Sequence, residues 1–195
     1  IQQFRWPIIY WTVLFLVSYG YFIGKLHPLF TPFSVLGSYW MFFLQYGLFL
    51  CIIANLIIKF TPLTTKMVGT GVVGLLVVLL IVGTYFAYSP VVRNATINID
   101  KPGDDMRIVM ASDFHLGLLS GKGHLEKFVA LSNEQNPDLV LLPGDIVDDS
   151  PKRFVEKDMG EVMKNLKATY GVYGVLGNHE YYGNEIPEFK KEMAE

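Results

Sequence analysis

The distribution of charged residues constrains this chain more than any other feature of its sequence. Residues 1–92 contain no Asp or Glu and only four basic residues, whereas all 18 acidic residues lie in residues 93–195. The first segment carries a formal charge of +4, and the second carries −6 because twelve basic residues accompany the eighteen acidic ones. Such different compositions predict two regions, 1–92 and 93–195, that fold separately.

Residues 1–92 contain uncharged runs long enough to cross a lipid bilayer. A hydrocarbon core about 30 Å thick requires roughly 20 apolar residues in helical form. The three runs have 19, 24 and 22 residues and cover 6–24, 35–58 and 67–88. Helices buried in a soluble protein keep a polar stripe, but these runs are apolar on all sides, and a signal peptide has only one short apolar stretch. We therefore predict three transmembrane spans and a multi-pass protein of the cell membrane.

The charges flanking these spans indicate an anchor and an orientation. A transporter is expected to place ionisable groups inside its spans, and these runs contain none. Arg5, Lys59 and Lys66 fall on one side of the membrane. Lys25 and Arg93 fall on the other side. Because basic residues favour the cytoplasmic side, three against two places residues 93 onward on the extracytoplasmic side.

Beyond Pro90, short apolar runs alternate with longer amphipathic stretches, a pattern typical of strands alternating with helices. We predict strands at 95–99, 107–112, 139–142 and 172–176. We predict helices at 123–134 and 151–168 and a third helix that begins near residue 186. This order implies right-handed crossovers, a largely parallel sheet and an α/β fold. Because the chain starts with Ile1 and stops within the third helix, we expect a fragment of a longer protein.

Three polar clusters immediately follow predicted strands. They are Asp113-Phe114-His115, Gly144-Asp145 and Gly177-Asn178-His179-Glu180. Ligands of open α/β sheets bind outside the carboxyl ends of the strands, so we expect the three clusters to converge there. Each of the first two, taken alone, is most often a plain turn or a helix cap, and their joint order is what points to a site.

The first two clusters carry residues suited to metal binding. Asp113 and His115 lie two positions apart, so on extended backbone both point to one side and can bind one cation. Gly144 lets the chain turn before Asp145, whose two carboxylate oxygens can bridge two cations.

The third cluster completes the predicted set of ligands. We expect Gly177 to provide a similar turn before Asn178 and His179. Mixed carboxylate, imidazole and amide ligands suit Mn, Fe, Zn or Mg. Two such cations about 3.5–4 Å apart can activate a water and neutralise charge on a phosphoryl group, which favours hydrolysis at phosphorus.

The order DxH, GD and GNH[DE], with about thirty residues between blocks, closely resembles the calcineurin-like metallophosphoesterases. The resemblance covers roughly residues 105–182 and implies that residues 93–195 are the N-terminal part of an α/β/β/α sandwich domain. It also implies two divalent metal ions, a bridging water or hydroxide, and hydrolysis of phosphoric esters. The membrane prefix and residues 136–138 and 170–173 look most like bacterial membrane-associated members.

The resemblance also implies ligands for the two metals. In that family the Asp and His of the first block hold the first metal, which here are Asp113 and His115. The Asp of the second block is shared by both metals and corresponds to Asp145. The Asn of the third block, here Asn178, binds the second metal.

Two further roles come from the resemblance. His179 matches the His that contacts the substrate phosphate and stabilises or protonates the leaving group. Glu180, where the family more often has Asp, would orient His179. The later histidine blocks that complete the family's metal shells have no counterpart, since no histidine follows His179 in these 195 residues.

The remaining titratable residues of this half receive ordinary interpretations. We expect His124 to be a solvated residue at a helix start, and Asp148 and Asp149 to belong to the cap of the next helix.

The leading hypothesis is a phosphoester hydrolase tethered to the bilayer that acts on a lipid or cell-envelope phosphate, with no nucleic-acid partner. One alternative is a catalytically degenerate module that binds a phosphorylated ligand or serves regulation. Another is that the spans carry the main function and the phosphoesterase half regulates it.

Overall fold

The computed structural model describes residues 5–194, with the backbone alone at Arg5 and Pro28. The chain divides between Ala87 and Tyr88 into two compact units. We call the residues up to Ala87 the apolar unit and those from Tyr88 the site unit.

The apolar unit is helical. Its helices are α1 (Arg5–Ser18), α2 (Gly20–Leu26), α3 (Thr31–Phe60) and α4 (Thr65–Ala87), with a 3-10 turn at Pro28–Phe30. By length and composition α3 and α4 can each cross a bilayer. The predicted first span is broken, because α1 and α2 meet at an angle of 68°. The break falls between Ser18 and Gly20, a pair of the kind at which helices kink. The described residues thus offer two spans, or three if the bent pair forms one.

Helices α2 and α3 pack backbone to backbone. A Cβ added to Gly24 would overlap Ser34, and one added to Gly37 would overlap the backbone of Tyr21. The Ser34 hydroxyl donates a hydrogen bond to the Tyr21 carbonyl oxygen at 3.0 Å. Small residues therefore set the distance between these helices.

The site unit contains a parallel sheet of three strands with helices between them, as the alternating pattern predicts. The strands, in spatial order, are β1 (Ile108–Met110), β2 (Leu139–Leu142) and β3 (Val172–Gly174). The helices are α5 (Lys122–Glu134), α6 (Lys152–Glu156), α7 (Met159–Met163), α8 (Asn178–Gly183) and α9 (Ile186–Ala194). Ile108 pairs with Leu139, and Val140 pairs with Val172.

One face of the sheet packs against the helices. Val140 and Leu142 of the central strand are fully buried, and Val109 of β1 packs against the same cluster. Met110 and Tyr173, which point to the other face, are exposed. Residues 5–194 therefore contain one sheet, which is covered on one side. The second sheet of the predicted sandwich stays a prediction.

Two predicted elements differ in the structure. Residues 95–99 form no strand, because they have no partner strand and Ile97 and Ile99 are exposed. The predicted helix 151–168 is two short helices, α6 and α7, interrupted at Asp158, whose φ of 49° lies in the left-handed region. Aspartate tolerates that conformation better than most residues.

Candidate metal centre

The loops that follow β1 and β2 are joined by backbone hydrogen bonds. The Asp113 amide donates to the Gly144 carbonyl at 3.3 Å, and the His115 amide donates to the Asp145 carbonyl at 3.1 Å. The extended backbone predicted for the first cluster is wrong, since Asp113 and His115 have φ of 58° and 43°. Asp145 also lies in this region, with φ of 52°. Non-glycine residues adopt this conformation at a cost, and such residues concentrate at functional sites.

Two glycines allow the loops after β2 and β3 to touch. Gly144 has φ of +94°, and a Cβ there would lie 2.7 Å from the Gly177 Cα. Gly177 has an ordinary φ of −98° and immediately precedes α8, so it does not use the left-handed region as Gly144 does. Its function is to leave space, because a Cβ at Gly177 would overlap the carboxylate and backbone nitrogen of Asp145.

The Glu180 carboxylate connects the same two loops. Glu180 is only 2% exposed. Its Oε1 accepts hydrogen bonds from the amides of Ile146 at 2.7 Å and Val147 at 3.0 Å. Its Oε2 accepts from the amides of Asp145 at 3.1 Å and Gly177 at 2.6 Å. The four lone-pair positions of a carboxylate are therefore matched by four backbone donors.

The His179 ring contacts a different carboxylate from the one predicted. Its Nδ1 lies 2.9 Å from Oδ1 of Asp149 and 3.7 Å from Oδ1 of Asp148. Glu180 therefore influences His179 through the backbone, whereas Asp149 faces the ring directly. Asp148 and Asp149, predicted as parts of a helix cap, had one signal in the sequence: they follow the same strand end as Asp145.

The structure brings His115, Asp145 and His179 together, with one potential ligand atom from each within 4.8 Å of the others. The two imidazole rings lie 4.3 Å apart and cross at 84°. The His179 amide also donates to Oδ1 of Asp145 at 3.0 Å. Two imidazoles and a carboxylate, all partly buried, are a donor set that suits Zn, Mn or Fe.

Asp113 and Asn178 are not part of the group formed by His115, Asp145 and His179. Asp113 is exposed, and its Oδ2 accepts a hydrogen bond from the Ser112 hydroxyl. Asn178 is exposed at the start of α8. Their roles as metal ligands stay predictions.

His124 is more enclosed than predicted. It is half-buried in the first turn of α5, and its ring lies edge-on to Tyr88 at 6.1 Å. Burial, and secondarily the charge of Lys127, lower the pKa of His124 below its ordinary value of 6.5.

Comparison with known proteins gives a match in the same part of the chain. Residues 106–194 match the family described as calcineurin-like phosphoesterase. This segment is similar to that family. It contains every residue of the three polar clusters, so the resemblance seen in the motifs is confirmed.

Several curated proteins are similar to this chain. An uncharacterized metallophosphoesterase of Campylobacter jejuni is 36% identical over 94 residues, which are 48% of this chain and 25% of that protein. One of Helicobacter pylori is 36% identical over 93 residues, 48% of this chain and 25% of the relative. A transmembrane protein with a metallophosphoesterase domain from Danio rerio is 33% identical over 103 residues, 51% of this chain and 23% of the relative. The matches thus span about a quarter of each relative. No solved structure matches.

Proposed function

We propose that the site unit hydrolyses phosphoric esters at a centre of two divalent metal ions, and that the apolar helices tether it to a membrane. The convergence of the potential ligands His115 and Asp145 behind parallel strands, with the His179 ring beside them, carries this proposal. The metallophosphoesterase relatives and the two apolar helices α3 and α4 support it.

The resemblance to the family supports a role for four residues as metal ligands. Asp113 and His115 would bind the first ion, Asp145 would bridge both, and Asn178 would bind the second. Bound divalent cations would supply an acidified water and neutralise charge on the phosphoryl group. The Glu180 carboxylate holds Asp145 and the start of α8 in register through its four backbone contacts.

His179 is suited to act on the leaving group. Its Nδ1 faces Asp149 at 2.9 Å, which leaves Nε2 as the ring nitrogen for the substrate. A carboxylate facing Nδ1 favours the ring orientation that directs Nε2 away from Asp149. With the ring protonated, the Nε2 proton can pass to the departing alkoxide oxygen.

The tether suggests the class of substrate. A membrane-bound hydrolase meets phosphates on lipids and cell-envelope components at high local concentration, and we propose one of these as substrate. The distribution of basic residues favours a site unit on the extracytoplasmic side.

The test is Mn²⁺-dependent hydrolysis of bis-p-nitrophenyl phosphate by the full-length protein in detergent. We expect Asp145→Ala to lower the rate at least about a hundredfold, because it removes the shared ligand. Asp104→Ala changes an exposed carboxylate outside the family segment and should leave the rate unaltered. We expect chelation to abolish the activity and added Mn²⁺ to restore it.

Equal rates in wild type and Asp145→Ala would refute hydrolysis at this site. If inorganic phosphate still bound in a Mn²⁺-dependent manner, the degenerate binding module would become the better description.

A further inference from the structure

Helix α8 carries two consecutive tyrosines, and only one of them lies against the site. The Tyr182 ring is centred 5.6 Å from the His179 ring and crosses it at 64°, while 66% of the residue remains exposed. Tyr181 is 59% exposed, and among the described residues its ring makes no aromatic contact. The two residues share type, helix and exposure but differ in their relation to His179.

The backbone that carries Tyr182 is held firmly. Glu180, two residues earlier, is buried and binds four backbone amides. Gly183, the next residue, packs so closely that an added Cβ would overlap the Asp149 carbonyl oxygen. Asn184 then ends the helix in the left-handed conformation, with φ of 55°. Tyr182 therefore presents an open ring from a fixed position.

An exposed aromatic ring on a firmly held backbone is an effective binding surface. Tyrosine offers a large flat area and loses little side-chain entropy on binding, because it has two rotatable angles. Flat partners gain additional energy from offset or edge-to-face packing with such a ring. A polar side chain at position 182 would expose no apolar area to water. The presence of a tyrosine there therefore indicates an apolar contact.

We propose that Tyr182 is a specificity-determining residue whose ring packs against a planar organic group of the phosphoester. This inference rests on the proposed function, since it requires the phosphate to bind beside His179. The phosphoryl group would occupy the metal side, and the esterified group would extend past His179 toward Tyr182. The site should therefore prefer esters that carry an aromatic ring over small alkyl esters.

Calorimetric binding of phenylphosphonate and methylphosphonate to the Mn²⁺-loaded full-length protein tests this without requiring turnover. We expect the wild type to bind phenylphosphonate more tightly. Tyr182→Ala should weaken phenylphosphonate roughly three- to tenfold and change methylphosphonate by less than about twofold. Tyr182→Phe keeps the ring and should retain the preference, and Tyr181→Ala is the matched control that should bind both ligands as the wild type does.

Several results would overturn the inference. They are an absence of phenyl preference in the wild type, no change in Tyr182→Ala, an equal loss for both ligands, and the same loss in Tyr181→Ala. Loss of Mn²⁺ binding in Tyr182→Ala would also overturn it, because the ring would then support the metal centre. Failure of the proposed function is a separate result: a wild type that prefers phenylphosphonate but hydrolyses no ester refutes catalysis and leaves the inference intact.

Discussion

The apolar unit and the site unit bury opposite kinds of residue. In the apolar unit, the buried residues include Gly20, Ser34 and Gly37, while most large side chains point outward. In the site unit, large residues such as Phe154 and Leu116 are fully buried. Large apolar side chains are driven inward only when the surroundings are water, whereas in hydrocarbon helices associate through small residues. The two patterns therefore indicate different solvents for the two halves of one chain.

The two units also differ in how their backbone polar groups find hydrogen-bond partners. The apolar unit has no acidic residue, and its helices satisfy their own backbone groups. The loops of the site unit depend on side chains for this, most clearly on Glu180. Single substitutions should therefore be far more damaging in the site loops than along α4.

The largest expected effect is at Glu180. Glu180→Ala leaves four backbone donors of the buried loops without an acceptor, and we expect the site unit to lose roughly 3–5 kcal/mol of stability. The free energy of opening, measured by hydrogen exchange of peptides covering residues 139–147 and 177–183, checks this. Glu188→Ala, on the exposed surface of α9, is the control and should change the stability by less than about 0.5 kcal/mol. Similar protection in both variants would contradict the assigned role.

A pair of glycine substitutions compares the two units directly. Gly177→Ala forces a Cβ into the Asp145 carboxylate and should destabilise the site unit by about 2–3 kcal/mol. Gly74 lies in α4, and an added Cβ would meet no described atom within 4 Å beyond its chain neighbours and its own helix backbone. Gly74→Ala should change the stability of the apolar unit by no more than about 1 kcal/mol, in the stabilising direction. Thermal unfolding in detergent measures the stability change of each variant. Equal destabilisation by the two substitutions would contradict the difference expected between the units.

A smaller effect is expected for the carboxylate that faces His179. Asp149→Asn should lower the hydrolysis rate roughly tenfold while leaving Mn²⁺ affinity within about threefold, because it weakens the orientation of the ring. Asp148→Asn should have a lesser effect, because Oδ1 of Asp148 is farther from Nδ1 of His179, at 3.7 Å. Steady-state rates of the two variants decide this, and a larger loss in Asp148→Asn would reverse the assignment.

The smallest expected effect is a pH dependence at His124. Because its folded pKa lies below 6.5, the folded state favours the neutral ring. The stability contribution is fully present above pH 6.5 and is lost as the pH falls through the folded pKa. The midpoint of thermal unfolding should therefore fall less between pH 7 and pH 5 in His124→Gln than in the wild type. An identical fall would show that His124 does not contribute.

The sequence by itself determined the parallel sheet and the motif of three polar clusters, and it predicted the division into two regions. These features are local, since they depend on composition, on the alternation of short apolar runs, and on motifs within a few residues. His115, Asp145 and His179 could be named because strand ends in a parallel sheet meet at one edge.

The tertiary structure alone decided which distant residues contact one another. Glu180 accepts a hydrogen bond from the amide of Ile146, 34 residues away. A Cβ on Gly177 would overlap Asp145. Neither role can be predicted from neighbouring residues. The contact between His179 and Asp149 likewise depends on how the loops after β2 and β3 fold together. Sequence patterns report the preferences of short segments, whereas contacts between distant loops are set by close packing and by the need of each buried polar group for a partner.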